Sequence, residues 1–330
     1  MIGMAVLGCG RIGRMHARNL KHHPRVNLIS VFDIAEQNAA ATASELDVTA
    51  ARSVDEILAD PKVQAILIAT STDTHVPLIA AGVRAGKAIL CEKPVDLDLG
   101  RARQCWAEIS KLKPRVMIGF NRRFDPTFRT LRDRLHAGEI GKLEIATITS
   151  RDPAPPPAAY IKVSGGLFRD MTIHDFDMAR FLAGDIEEVF ALGSNLVDPE
   201  IGQLHDIDTC TLTLKARSGA LIQISNSRRC AYGYDQRVEV FGAAGMLKAG
   251  NHRGTTVEGW TAQQTAAREP VLNFFIERYR QAYDSEVDAF VVAVETGAAL
   301  SPDFGDGVAA LELAAAAEES LRTGRAVKLT

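Results

Sequence analysis

Ile2-Gly3-Met4-Ala5-Val6-Leu7-Gly8-Cys9-Gly10-Arg11-Ile12-Gly13 opens the chain, and these residues decide the fold of its first half. Residues 2–7 form a short apolar run that predicts a buried strand, and the stretch from Arg11 to His22 predicts a helix. Between them lies G-x-G-x-x-G. Gly8 permits the tight turn, Gly10 lets a pyrophosphate approach the backbone, and Gly13 allows close helix packing. Arg11 and Ile12 complete the loop, and phosphate charge meets the helix N-terminus there. A second strand, Val26–Phe32, ends at Asp33, twenty residues past Gly13. A carboxylate at that distance accepts hydrogen bonds from a ribose 2′-hydroxyl and repels a 2′-phosphate, which favours NAD over NADP. Glycines that merely shape a turn would not need the flanking strand, the helix and the terminal acid.

Outward from this motif the chain alternates strand and helix, which predicts an α/β fold with a Rossmann doubly wound parallel sheet. Ile34–Leu46 reads as a helix, and Ser53 as the N-cap of a short one. The apolar strand Ala65–Thr70 exits into Ser71-Thr72-Asp73-Thr74-His75, so Thr70, Ser71, Thr72 and His75 fall where a dinucleotide crosses the sheet. The next strand, Lys87–Cys91, ends in Glu92-Lys93-Pro94. That position places Glu92 and Lys93 toward the nicotinamide end, and Pro94 restricts the backbone of Lys93. The alternative is a solvated lysine in a turn.

After the strand Arg115–Phe120 the alternation fails. The chain is therefore divided into a nucleotide-binding domain, 1–120, and a substrate-binding and oligomerisation domain, 121–330. In the second, Leu143–Ser150, Glu187–Gly193, Asp208–Ala216, Ala220–Ser227 and Gln236–Phe241 read as strands, several with alternating apolar residues. This predicts an α+β domain with a large, open, mostly antiparallel sheet, one face against helices. Its other face needs cover, which predicts self-association. Pro153-Ala154-Pro155-Pro156-Pro157 reads as an ordered loop, and helices return at Phe274–Thr296 and Asp303–Thr323.

Composition excludes other classes. With 330 residues, a formal charge of −3 and a pI near 6.3, the chain is long enough for two cores and unsuited to nucleic acid as main partner. Five cysteines without C-x-x-C predict reduced thiols, with Cys9 and Cys91 as small fillers. No apolar run approaches the roughly 20 residues of a membrane span, and the first residues lack a secretory pattern. A cytoplasmic location is expected. His16, His22, His23, His75, His136, His205 and His252 show no metal-ligand spacing, so no metal is expected.

Chemistry points to Gly165-Gly166-Leu167-Phe168-Arg169-Asp170-Met171-Thr172-Ile173-His174-Asp175-Phe176-Asp177. Read at about 100° per residue, Asp170, His174 and Asp177 share a polar stripe beside Met171, Met178 and Leu182. An imidazole with a carboxylate one turn away suits proton abstraction near neutral pH. A surface helix with such a pair is the alternative.

Over essentially its full length the chain resembles the glucose–fructose oxidoreductase and inositol dehydrogenase superfamily. The resemblance lies in Gly8–Gly13, Glu92-Lys93-Pro94 and the run from Gly119 to Pro126. Within it, Ser150-Arg151-Asp152-Pro153, Tyr160, the segment from Ser164 to Arg180, and Tyr232-Gly233-Tyr234-Asp235-Gln236-Arg237 most resemble bacterial myo-inositol 2-dehydrogenases. This implies a catalytic trio of Lys93, Asp170 and His174, with Asp33 selecting NAD. His174 would take the proton of a secondary ring hydroxyl, Lys93 would hydrogen-bond the same oxygen, and Asp170 would orient the imidazole. Arg123, Asp152, Tyr160, Tyr232 and Tyr234 become substrate contacts, beside the trio, and Asn121 a cofactor contact. The implied partner is a cyclic polyol or sugar, and the implied assembly a homotetramer. The three prolines at Pro155–Pro157 depart from the family pattern and leave the stereoisomer open. Two alternatives stand: a relative acting on another inositol or sugar, or using NAD transiently in glycoside cleavage, and a non-catalytic NAD-binding sensor.

Overall fold

The computed structural model describes residues 1–329, which divide into two compact units, Met1–Asn121 with Tyr283–Glu312, and Arg122–Ala282 with residues 313–329. In the first, β1 (Ile2–Leu7), α1 (Arg11–His22), β2 (Val26–Phe32), α2 (Glu36–Leu46), β3 (Thr49–Ala50), α3 (Val54–Ala59), β4 (Ala65–Ile68), α4 (His75–Arg84), β5 (Ala88–Glu92), α5 (Leu99–Ile109) and β6 (Val116–Gly119) follow in sequence. Every strand pair in this sheet is parallel, in the order β3-β2-β1-β4-β5-β6. That is the doubly wound order, with its topological switch between β1 and β4. The strands β1 and β4 are buried throughout, as sheets covered on both faces require. Ser53 caps α3 by accepting from the Glu56 amide at 3.1 Å.

The second unit begins with α6 (Pro126–His136), capped by Asp125, and β7 (Leu143–Arg151). There follow α7 (Ala158–Ser164), α8 (Ile173–Ala183), β8 (Ile186–Ser194), α9 (Pro199–Gln203), β9 (Thr209–Ala216), β10 (Leu221–Ser227), β11 (Asp235–Gly242) and β12 (Gly245–Ala249). A two-stranded pair, β13 (Glu258–Gly259) with β14 (Ala267–Arg268), precedes the long helices α10 (Phe275–Thr296) and α11 (Phe304–Thr323) and the terminal β15 (Val327–Lys328). The seven-stranded sheet runs β12-β11-β7-β10-β9-β8-β15, antiparallel except between β7 and β10. Its inward positions, such as Leu212, Leu214, Ile222 and Ile224, are buried in strict alternation.

The boundary differs from a single cut near residue 121. Tyr283–Glu312 packs with the nucleotide-binding sheet, where it covers the β6 edge. The Ile118 amide donates to the Pro302 carbonyl at 2.9 Å, Arg115 donates to the Ala293 carbonyl at 2.6 Å, and Trp106 stacks on Phe304. Ladder partners so distant in sequence leave no periodic signal. α6 is an element beyond those expected from the sequence, although Asp125-Pro126 is a strong helix start: Asp125 accepts from the Thr127 and Phe128 amides at 3.1 Å.

Candidate active site

In the first unit the phosphate loop is shaped by absent side chains. Gly8 has φ +95°, and a Cβ there would stand 2.4 Å from the Ala69 carbonyl oxygen. A Cβ on Gly13 would stand 1.9 Å from the Gly8 carbonyl oxygen, so only glycine lets α1 pack this closely on the turn. A Cβ on Gly10 would meet nothing within 4 Å, so the turn is open there, as the approach of a pyrophosphate requires. Gly10 makes no side-chain cap, and the first turn of α1, Arg11 and Ile12 included, carries no acid. Asp33 is pinned at the end of β2, its carboxylate accepting from the Cys9 amide at 2.6 Å and the Ala35 amide at 2.8 Å. These residues fit a dinucleotide with a free 2′-hydroxyl. Cys9 and Cys91 are buried, and burial pushes both thiols up, away from nucleophilic thiolate.

Beyond β4, Thr70 and Thr72 are half-buried and Ser71 is exposed, with the Thr70 and Thr74 hydroxyls 2.7 Å apart. His75 lies next to this turn. It was expected at the cofactor, but its ring is buried, with Nδ1 2.8 Å from the Pro94 carbonyl and Nε2 3.2 Å from the Thr70 carbonyl. Burial lowers its pKa. It fastens the two turns that carry Thr70 and Lys93. Lys93 itself is half-buried, followed by a cis peptide to Pro94. Glu92 turns toward α1, its carboxylate 2.7 Å from His16 Nε2, so its contact is to protein where a cofactor contact was expected. Glu286 lies fully buried in this unit, held well above the usual carboxylate range by burial and then by the Glu92 charge. Asn121 is buried at the exit of β6.

In the second unit the segment around His174 is irregular. Phe168–Thr172 winds as a π-helix before α8 begins. The wider turn changes the angle between Asp170 and His174, and Asp177, inside the regular helix α8, belongs to no exposed stripe: it is buried and gripped by Arg123 through Nε at 2.9 Å and Nη2 at 2.6 Å. Arg123, expected at the substrate, thus has its guanidinium on a structural carboxylate. π-turns are frequent at functional sites. His174 remains half-exposed. Its neighbour Asp175 is fully buried and accepts from Arg122 Nη1 at 2.6 Å, Ser150 Oγ at 2.6 Å and Asn226 Nδ2 at 2.7 Å. Three donors on one buried carboxylate fix the first turn of α8, and with it the backbone of His174.

The remaining candidates separate. Asp152 is half-buried just past β7, its amide donating to the Ser227 carbonyl at 3.0 Å. Tyr160 is exposed and its hydroxyl donates to Asp170 at 2.9 Å. Tyr232 is exposed, with its hydroxyl donating to Asp235 at 2.7 Å and accepting from Arg151 at 3.0 Å. Tyr234 is buried against the edge of Tyr279, ring centroids 6.0 Å apart, and burial pushes its phenol well up. The sequence reading missed Arg122, Ser150, Asp175, Asn226 and Arg228. A signal existed: the inward positions of β10 turn from Ile222 and Ile224 to Asn226, and Arg228, one residue past the strand, keeps the same alternation, where a purely structural sheet would stay apolar. Among the described residues no group of His, Cys, Asp or Glu is arranged to hold a metal ion.

Two family models match these two halves. Residues 2–120 match an oxidoreductase family with an NAD-binding Rossmann fold, and residues 128–248 match the GFO/IDH/MocA C-terminal domain. The chain belongs to the GFO/IDH/MocA oxidoreductase family. It is an NAD-binding oxidoreductase, 45% identical over 99% of both chains to inositol 2-dehydrogenase of Rhizobium meliloti. It is 46% identical to myo-inositol 2-dehydrogenase of Thermotoga maritima, covering 99% of this chain and 98% of that one. A myo-inositol dehydrogenase structure from Corynebacterium glutamicum superposes with a TM-score of 0.97 at 47% identity, over 100% and 99% of the chains. The scyllo-inositol dehydrogenase of Lactobacillus casei, solved with NAD(H) and scyllo-inositol, gives 0.92 at 26% identity, over 99% of each.

Proposed function

We propose that this protein oxidises a secondary ring hydroxyl of a cyclic polyol, myo-inositol to its 2-ketone, with NAD as hydride acceptor. The observation that carries it is His174, half-exposed beside a fully buried and triply bonded Asp175, in a chain matched end to end by inositol 2-dehydrogenases. When bound, NAD supplies the electrophilic carbon that takes the hydride. The protein's own residues handle the proton. His174 takes it from the hydroxyl, Lys93 donates a hydrogen bond to that oxygen as negative charge develops, and Asp170 orients the imidazole. Gly8–Gly13, Asp33 and the Thr70–Thr72 turn hold the dinucleotide, with Asn121 near it. Asp152, Tyr232 and Tyr234 remain the polyol contacts of this reading, and inositol catabolism its setting.

The test is NADH absorbance across inositol isomers and aldoses, with NAD and with NADP. NAD-dependent signal with myo-inositol is expected, and little with NADP because of Asp33. A sensor would give no signal, and an NAD-dependent glycosidase no net NADH.

We also propose a cytoplasmic homotetramer. No helix among the described residues is long and apolar enough to cross a membrane, and all five cysteines are free and buried. The uncovered sheet face carries Met246, Phe241, Ile145 and Leu221 in one register row across β12, β11, β7 and β10, each 44–50% exposed. A contiguous apolar row of that kind seeks a second copy. Light scattering should give a tetramer, and Phe241→Glu should shift it to smaller species. A monomeric wild type would sink this reading.

A further inference from the structure

β10 alternates inward and outward side chains, and its inward end is polar. Asn226 and Arg228, two residues apart and both buried, reach the same irregular segment that carries Asp170 and His174. Asn226 holds its far end, donating to Asp175 and accepting from the Thr172 hydroxyl at 2.6 Å. Arg228 holds its near end, with Nη1 donating to Asp170 Oδ2 at 3.2 Å. The Tyr160 hydroxyl donates to the other oxygen, Oδ1, at 2.9 Å. Asp170 is therefore gripped on both oxygens, once from a buried strand end and once from the exposed helix α7.

Stability alone does not account for this arginine. Its side chain is 1% exposed, and Nε and Nη2 have no hydrogen-bond partner among the described residues. A buried guanidinium so sparsely bonded is a net cost to folding, and an apolar side chain of similar volume would pack as well. What the arginine adds is a fixed donor and a fixed positive charge beside the carboxylate four residues before His174.

We propose that Arg228 is a positioning residue for the oxidation: with Tyr160 it locks the Asp170 carboxylate in one orientation, and Asp170 in turn aims the His174 imidazole. This rests on the reading of His174 as the base. It also gives the Tyr160 hydroxyl a protein partner in place of the substrate contact expected from the sequence. The lock acts on turnover and leaves the dinucleotide-binding residues of the other unit untouched.

Steady-state kinetics with NAD and myo-inositol, on the purified full chain, tests it. Arg228→Gln should lower kcat by about 10²-fold, the scale of a misplaced catalytic group, with NAD affinity by fluorescence titration unchanged. Arg228→Lys, which keeps a donor and the charge, should recover part of the loss. Tyr160→Phe should give a smaller loss. All three losses should vanish in an Asp170→Asn background, where the orientation they maintain no longer matters. Wild-type kcat in folded Arg228→Gln overturns the proposal, as do losses that persist undiminished beside Asp170→Asn. Should Arg228→Gln fail to fold, Arg228→Lys and the half-exposed Tyr160→Phe complete the same cycle, and full kcat in Tyr160→Phe, or losses undiminished beside Asp170→Asn, overturns the proposal equally. A His174→Ala protein with full turnover would instead remove the underlying reading. An inactive His174→Ala beside a fully active Arg228→Gln would remove this inference alone.

Discussion

His174→Ala is expected to lower kcat by about 10²–10⁴-fold, the usual contribution of a positioned general base, while NAD binding stays near wild type. The split follows from where the groups lie. The dinucleotide loop, Asp33 and the Thr70 turn belong to the unit built on the parallel sheet, and His174 stands on α8 of the other unit. Removing the imidazole takes away the proton acceptor without disturbing the turn at Gly8 or the amides that pin Asp33. Stopped-flow absorbance with saturating NAD reads the hydride step directly, and calorimetric titration reads NAD affinity. Equal losses in both would mean that the substitution acts on folding. Near-normal turnover would mean that the base lies elsewhere.

Asp175→Ala is expected to destabilise the protein by about 3–5 kcal/mol, the range for breaking a buried ion pair from one side. The carboxylate satisfies Arg122, Ser150 and Asn226 together, and both members of its ion pair are buried, with side-chain exposure of 5% for Arg122 and 0% for Asp175. Alanine would take the charged acceptor from all three in a site closed to solvent, leaving Arg122 Nη1 only the Ser150 hydroxyl at 3.0 Å, that hydroxyl only Gln236 Oε1 at 3.1 Å, and the Asn226 amide only the distant Ser150 carbonyl at 3.5 Å. Urea unfolding measures the loss, and Asp175→Asn should lose less, because an amide oxygen still accepts two of the three bonds. Activity should fall further than stability predicts at temperatures where the variant is still folded, since the seat of His174 is loosened. A variant as stable as wild type would show that the network contributes nothing net.

Local rules made much of this protein legible from residue order. The strand, the glycine turn, the helix and Asp33 lie within 33 residues, and steric demands at Gly8 and Gly13 act over that short range. Alternating burial in β9 and β10 likewise follows from side chains that point to opposite faces at every step. The direction of the His75 ring was not legible, because the first residue of a helix can face either way. Only the fold brings it against the Thr70 and Pro94 carbonyls.

By itself, then, the sequence determined that a nucleotide sheet comes first, that an alternating open sheet follows, and that an imidazole and carboxylates cluster near residue 174. Tertiary structure alone decided which carboxylate does what. Asp177 went to Arg123 and Asp175 to a buried seat, and Asp170 to Tyr160 and Arg228. It also decided that Tyr283–Glu312 joins the first unit. The physical reason is range: Asp175 takes its donors from 25, 51 and 53 residues away, and a hydrogen bond across such a separation obeys no period that a strand or a helix could print on the chain.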